Sequence, residues 1–175
     1  MVVLLILFCV IAAVAILYSV ASYNKVVRRD AQADVARGHI RSLVTRQSDL
    51  VSQLATSARV YGAADDQTIT EVEHRLREEG ASKGTTERLE ASEALSKATM
   101  ALIDEVRGSE DAMASTAFVE LIAEIEKVEE QISVARADHT ACVDAYNSAL
   151  AAFPASIICG PRFRPRKGGT PKDAA

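Results

Sequence analysis

The chain begins with an apolar stretch, residues 1–22, that contains no charged side chain. About twenty helical residues, each rising 1.5 Å, cross a hydrocarbon core of roughly 30 Å. A signal peptide would begin with basic residues and have an apolar core of about 7–15 residues. No Lys or Arg precedes this stretch, although the small residues Ala21 and Ser22 leave cleavage open. We therefore predict a retained transmembrane helix over residues 1–22.

The charged residues next to this stretch predict its orientation. Lys25, Arg28 and Arg29 follow it directly, and basic residues beside a span stay on the cytoplasmic side. We expect a single-pass protein of the cell membrane with its N-terminus outside and its body in the cytoplasm. The three cysteines show no spacing typical of a disulfide framework, which agrees with a reducing compartment.

The composition after residue 22 is typical of long helices. The chain is long enough for one small domain, which we place at residues 23–153. All four prolines follow Phe153, and no Asn-Gly or Asp-Gly hairpin signal is present. The net charge of −4 argues against nucleic acid as a partner. These features predict an all-α fold.

Apolar residues at spacings of three and four predict four helices. The first continues from the apolar stretch without a break and ends in a turn at Gly62. The second begins at Thr68, whose side chain and that of Glu71 have the spacing of a capping box. The third covers about 86–107, and the last ends at Phe153, before the first proline.

Each apolar stripe needs a partner, and short connections favour antiparallel neighbours. We therefore predict that the transmembrane helix continues into an up-and-down antiparallel four-helix bundle. The predicted seam of this bundle consists of Ile40, Val44, Leu54, Tyr61, Phe118, Leu121, Ile125, Val128, Ile132, His139 and Tyr146.

Several blocks, in order and spacing, resemble the LemA family. They are Tyr23-Asn24, Asp49-Leu50 with Leu54, Tyr146-Asn147 and Phe153-Pro154. The chain departs from the family pattern at Ser52-Gln53, where the family has Pro-Asn, and at His139-Thr140, where it has Tyr-Asn. The chain is identified as a divergent member of this family. It implies a helical bundle on a membrane anchor and no enzymatic activity. The family consists mainly of membrane proteins of poorly defined function, and one relative takes part in building magnetosome membranes.

Candidate chemical sites are few in this sequence. Glu71 and His74 form a Glu-x-x-His pair, as di-iron bundles use, but no second pair occurs. His139 lies on the apolar seam near Cys142, and a zinc site would need more ligands. We expect a core histidine that is hydrogen-bonded to a polar group such as Gln47. We predict no catalytic, cofactor or metal site.

The final stretch, residues 154–175, is rich in Pro, Gly, Lys and Arg, and we predict that it is disordered. If the last helix returns to the bilayer, this stretch meets the membrane surface, where each basic residue contributes about 1 kcal/mol beside anionic lipid. The alternative is a solvated tail. The predicted membrane-surface residues are Lys25, Arg28, Arg29, Phe153, Ile157, Ile158, Arg162, Phe163, Arg164, Arg166 and Lys167.

The leading functional hypothesis is a non-enzymatic scaffold that self-associates and organises or shapes the membrane. Small residues in the apolar stretch, Ala12, Ala15 and Ser19, allow helices to approach closely. The expected partners are the bilayer, including its anionic lipids, and further copies of the chain. The alternative is a monomeric or small-oligomer regulatory adaptor for a membrane sensor kinase or protease. A metal- or cofactor-binding bundle is a third hypothesis, for which the sequence offers too few ligands.

Overall fold

A computed structural model describes residues 1–82, 85–153 and 163–166. These residues form helices and contain no strand, so the prediction of an all-α fold is confirmed. The helices are α1 (Val2–Tyr61), α2 (Asp66–Ala81), α3 (Thr85–Gly108), α4 (Glu110–Met113) and α5 (Thr116–Ala151).

Helix α1 is 60 residues long and has no break between the apolar stretch and the polar sequence after it. It ends where the sequence predicts, at Gly62, whose φ of 61° is the left-handed conformation that glycine adopts without a steric penalty. The N–H of Ala63 then donates to the carbonyl of Ala58 at 2.9 Å, which satisfies one of the last carbonyls of the helix. Near its N-terminus, α1 is long and apolar enough to cross a membrane, by length and composition, and its apolar part is not buried.

The described residues divide into two compact units. The first unit contains residues 1–38, 137–153 and 163–166, and the second contains residues 39–82 and 85–136. Each unit has its own buried cluster of apolar side chains.

The core of the second unit draws on all five helices. Its fully buried aliphatic side chains pack along the stripes that the spacing of three and four indicates. They include Val51, Leu54, Ile69, Val72, Leu95, Leu102, Val106, Ile125 and Val128.

The start of α2 differs from the predicted capping box. The N-cap residue is Asp65, and its side chain makes no capping hydrogen bond. Glu105 of α3 performs this role from a distance in sequence, because its carboxylate accepts the N–H of Asp65 at 2.9 Å and the hydroxyl of Thr68 at 2.6 Å. The predicted capping box at Thr68 and Glu71 is therefore wrong, because α2 begins at Asp66 and Thr68 lies inside its first turn, where its hydroxyl donates to Glu105.

The core of the first unit is small and includes an aromatic ring. Val26 of α1 and Tyr146 and Leu150 of α5 are buried, together with Ala149. Tyr23 and Phe163 pack against this group and are partly buried. Phe163 belongs to the four described residues of the C-terminal stretch, so this stretch contributes to the core of the first unit.

Candidate functional site

In the first unit, part of the C-terminal stretch contacts both α1 and α5, and we use the word cleft for the residues that receive it. We call Phe163–Arg166 the docked segment, and we define the cleft by Tyr23, Asp30 and Asp34 of α1 with Tyr146 and Asn147 of α5. The two aspartates lie four residues apart on α1, and one helical turn therefore places them on the same face. Tyr146 and Asn147 are adjacent on α5, and both form hydrogen bonds with the docked segment.

Asn147 binds the backbone of the docked segment through both functions of its amide. Its Nδ2 donates to the carbonyl of Arg166 at 2.8 Å, and its Oδ1 accepts the N–H of Arg166 at 2.9 Å. Both distances are those of good hydrogen bonds. An extended backbone presents this donor and acceptor together, so Asn147 recognises the main chain of the segment rather than a particular side chain.

Tyr146 contacts the docked segment through its hydroxyl and its ring. The residue is 1% exposed, and its hydroxyl donates to the carbonyl of Arg164 at 3.0 Å. The guanidinium carbon of Arg166 lies 5.5 Å from the centre of its ring, within the range of a cation–π contact. One side chain therefore contacts the segment through both its polar end and its aromatic face.

The charges of the cleft are complementary to Arg166. Its guanidinium forms ion pairs with Asp30 at 2.8 Å and with Asp34 at 2.6 Å. The hydrogen bond from Arg166 lowers the pKa of Asp34 below its ordinary value, and partial burial opposes this shift. The same hydrogen bond, opposed by burial, raises the pKa of Arg166. Each shift shows that the pairing favours the charged form of the group.

Phe163 anchors the other end of the docked segment. Its ring packs edge-to-face on Tyr23, with the ring centres 6.0 Å apart, which is a favourable geometry for an aromatic pair. The segment is thus held by an aromatic contact at one end and by an ion pair and backbone hydrogen bonds at the other.

His139 lies on α5 in the first unit and is 8% exposed. Burial is the main cause that lowers its pKa, followed by the positive charges of Arg37 and Arg166, while Asp34 acts in the opposite direction. The imidazole is therefore neutral at neutral pH. Its Nε2 has no hydrogen-bond partner, so the expected bond from a facing polar group to this atom is not formed.

Gln47, the expected partner of His139, belongs to a polar network in the core of the second unit. Gln47 is fully buried, and its Nε2 donates to Ser96 at 2.9 Å and to Glu129. Ser96 in turn donates to Glu129 at 3.0 Å. The hydroxyl of Ser92 lies 3.5 Å from the Gln47 carbonyl oxygen. This network links α1, α3 and α5 through hydrogen bonds that the apolar pattern of the sequence does not reveal.

A buried glutamate forms a second polar contact in the same unit. The side chain of Glu79 is 4% exposed and pairs with Arg88 at 2.5 Å. Its other oxygen accepts the hydroxyl of Ser48 at 3.2 Å. Both sets of polar contacts join helices, Gln47 with Ser96 and Glu129, and Glu79 with Arg88 and Ser48. Within the described part of the chain, no cluster of three His, Cys, Asp or Glu side chains could hold a metal ion.

The predicted membrane-surface residues have different surroundings in the structure. Lys25, Arg28, Phe153 and Arg164 are exposed, and Arg29 is partly buried and donates to Gln32 at 3.2 Å. Phe163 and Arg166 lie in the cleft. Contact of these residues with lipid stays a prediction. The remaining ones, Ile157, Ile158, Arg162 and Lys167, lie outside the described residues.

Most predicted seam residues are buried within their units. The exceptions are Ile40 and Leu121, which are partly buried, and Tyr61, which is 73% exposed. The ring of Tyr61 nevertheless packs edge-to-face on Phe118, with 5.6 Å between the ring centres. The buried ones are Val44, Leu54, Phe118, Ile125, Val128, Ile132, His139 and Tyr146.

His74, which the sequence places in a Glu-x-x-His pair with Glu71, lies near a different glutamate in the structure. His74 is more than half exposed and lies 3.6 Å from Glu78, its neighbour one turn along α2.

The aspartates of the cleft were not among the predicted site residues. The signal that could have indicated them is an i,i+4 acidic pair directly after a basic cluster.

Comparison with known proteins adds one match. A family model described as the LemA family matches residues 36–166, most of the chain. The match includes Tyr146, Asn147 and the docked segment, and it begins after Asp30 and Asp34. No curated protein matches the chain.

Proposed function

We propose that this chain, which belongs to the LemA family, is a non-enzymatic membrane-anchored protein whose copies self-associate into a scaffold that organises the bilayer. The observation that carries the proposal is the exposed apolar beginning of α1, because the same helix continues without a break and contributes side chains to the core of the second unit.

The exposure of large apolar side chains supports the anchor. Ile6, Phe8 and Leu17 are 57%, 72% and 70% exposed, and other apolar side chains of the same stretch are similarly uncovered. Apolar surface in water costs about 25 cal/mol per Å², and a large continuous apolar patch is typical of an interaction site or a membrane contact. A bilayer would cover all sides of such a helix at once.

The basic flank supports a cytoplasmic location of the two units. Lys25 and Arg28 are exposed, so their charges are available to face lipid head groups on the cytoplasmic side. In this orientation the N-terminus lies outside the cell.

Contacts in the second unit support the up-and-down four-helix arrangement that we propose for α1, α2, α3 and α5. Tyr61 and Arg46 of α1 contact Phe118 and Glu124 of α5, respectively, so residue numbers fall along one helix as they rise along the other. The other neighbouring pairs show the same relation, through Arg59 with Glu73, Ser48 with Glu79, Thr68 with Glu105, Arg88 with Glu79, Arg107 with Glu126, and Ser96 with Glu129.

Self-association is supported by the surface of the apolar stretch. The hydroxyl of Ser19 donates to the carbonyl of Ala15 at 2.7 Å, so its polar atom is satisfied within the helix. The side chains of Ala15 and Ser19 on this face are small and need no polar partner outside the helix, which lets two such helices approach closely in lipid.

The anchor is tested by washing membranes with alkaline carbonate and measuring the mass of the chain that remains. The proposal predicts an intact chain of 18.8 kDa in the pellet. A matched variant that lacks residues 2–22 should move to the supernatant. Release of the full chain, or loss of its first residues, would contradict the anchor.

Self-association is tested by co-expressing two copies with different affinity tags and purifying through one tag in mild detergent. The proposal predicts that the second tag is recovered with the first. Recovery of a stoichiometric foreign protein without the second tag would contradict the scaffold and favour the adaptor.

A further inference from the structure

We propose that neighbouring copies exchange residues 163–166, so that the cleft of each copy binds the docked segment of the other copy in place of its own. This inference rests on the proposed self-association, and the contact between segment and cleft is the one that would join the copies. The partner is the segment Phe-Arg-Pro-Arg of another chain, and the receiving site is the cleft of Tyr23, Asp30, Asp34, Tyr146 and Asn147.

The contacts in the cleft do not depend on which copy supplies the segment. Asn147 and Tyr146 bind backbone atoms of Arg166 and Arg164, and the aspartates bind the guanidinium of Arg166. A segment from a second copy has the same atoms in the same order. Exchange therefore conserves each hydrogen bond and ion pair of the cleft.

The chain between the last helix and the docked segment is long enough for exchange. Nine residues, 154–162, separate Phe153 from Phe163. At no more than 3.3–3.6 Å per residue, they span up to about 30 Å. The axes of two packed helices lie only about 8–10 Å apart, so this length reaches the cleft of an adjacent copy.

Membrane anchoring favours binding between copies. The α1 side of the cleft begins at Tyr23, the residue after the apolar stretch. Anchored copies therefore carry their clefts at the same height above the bilayer. Confinement of the copies to the membrane plane raises the effective concentration of the segment around each cleft.

The segment is suited to binding as a separate peptide. Pro165 fixes its own φ, and it restricts Arg164 before it to extended conformations. The loss of backbone entropy on docking is therefore smaller than for a flexible segment. Phe163 and Arg166 then give specificity through one aromatic contact and one charged contact.

The test uses two variants that disable opposite sides of the contact. The segment variant is Arg166→Glu, and the cleft variant is Asp30→Arg with Asp34→Arg. Each is co-expressed with itself or with the other, always as a pair of differently tagged copies. In the mixed pair, only the intact cleft of one copy and the intact segment of the other form the wild-type contact.

When each variant is paired with itself, we expect recovery of the second tag to fall about tenfold, the change that corresponds to 1.4 kcal/mol. The mixed pair should recover the second tag again, because the intact cleft of one copy can bind the intact segment of the other. No single chain of that pair contains both intact sides, so this contact can form only between copies. Lys97→Glu and Asp144→Arg reverse single charges at exposed positions outside the cleft and should co-isolate like the wild type.

Thermal unfolding, followed by circular dichroism, checks that both variants fold. A mixed pair that recovers no more of the second tag than the self-pairs would overturn the exchange and leave the proposed function standing, provided that wild-type copies co-isolate. Variants that co-isolate fully with themselves would also overturn it. If wild-type copies do not co-isolate, both proposals fail.

Discussion

Asn147→Ala should release the docked segment while leaving α5 intact. The side chain makes two hydrogen bonds to the backbone of Arg166, at 2.8 and 2.9 Å. A hydrogen bond contributes about 0.5–1.5 kcal/mol net, so the loss of both should cost about 2 kcal/mol. Since 1.4 kcal/mol is a factor of ten, the undocked population should rise about thirtyfold.

Hydrogen exchange at the amide of Arg166 measures this release directly, because that N–H donates to the Oδ1 of Asn147. In the full-length protein in detergent, exchange through local opening should become about thirtyfold faster in the variant. Asn24→Ala is the matched control, since Asn24 also follows a tyrosine but is exposed on α1, and it should leave the rate unchanged. Exchange in Asn147→Ala that is no faster than in the wild type would refute the role of this amide.

Three further predictions concern charge and packing. The lowered pKa of Asp34 means that its contribution to docking is complete above its ordinary value of 3.8 and is lost as the pH falls through the lowered pKa; the NMR shift of the Arg166 amide should follow this loss, and Asp34→Asn should weaken that pH dependence. Gln47→Leu leaves Glu129 without its amide donor and should lower the free energy of unfolding by about 1–3 kcal/mol, whereas Gln53→Leu, at an exposed position, should change it by less than about 0.5 kcal/mol. Leu54→Ala removes a fully buried side chain and should cost about 2–5 kcal/mol, and denaturant melts should show a far smaller effect for the exposed Val60→Ala.

The helices were predictable because the spacing of apolar residues reports which face of each helix is covered. The end of α1 before Gly62 and the bounds of α3 agree with the sequence to within a residue or so. The start of α2 was not predictable in the same way. Thr68 has a suitable local partner in sequence, but Glu105 is brought to it by folding, and a local pattern contains no information on such a contact.

The candidate site was predictable only in part, for the same reason. Tyr146-Asn147 was identified by its resemblance to a family motif, but its ligand is a segment about 18 residues further along the chain. Arg166 was expected at the membrane surface on its charge alone. Its partner Asp34 lies 132 residues away in sequence, and periodicity cannot indicate which charges meet across such a separation.

Native mass spectrometry of the full-length chain, extracted intact from membranes, tests the central claim most directly. We expect assemblies whose masses are multiples of 18.8 kDa and that persist when bound lipid is removed by collisional activation. Particles that contain a single 18.8 kDa chain under all gentle extraction conditions would contradict it.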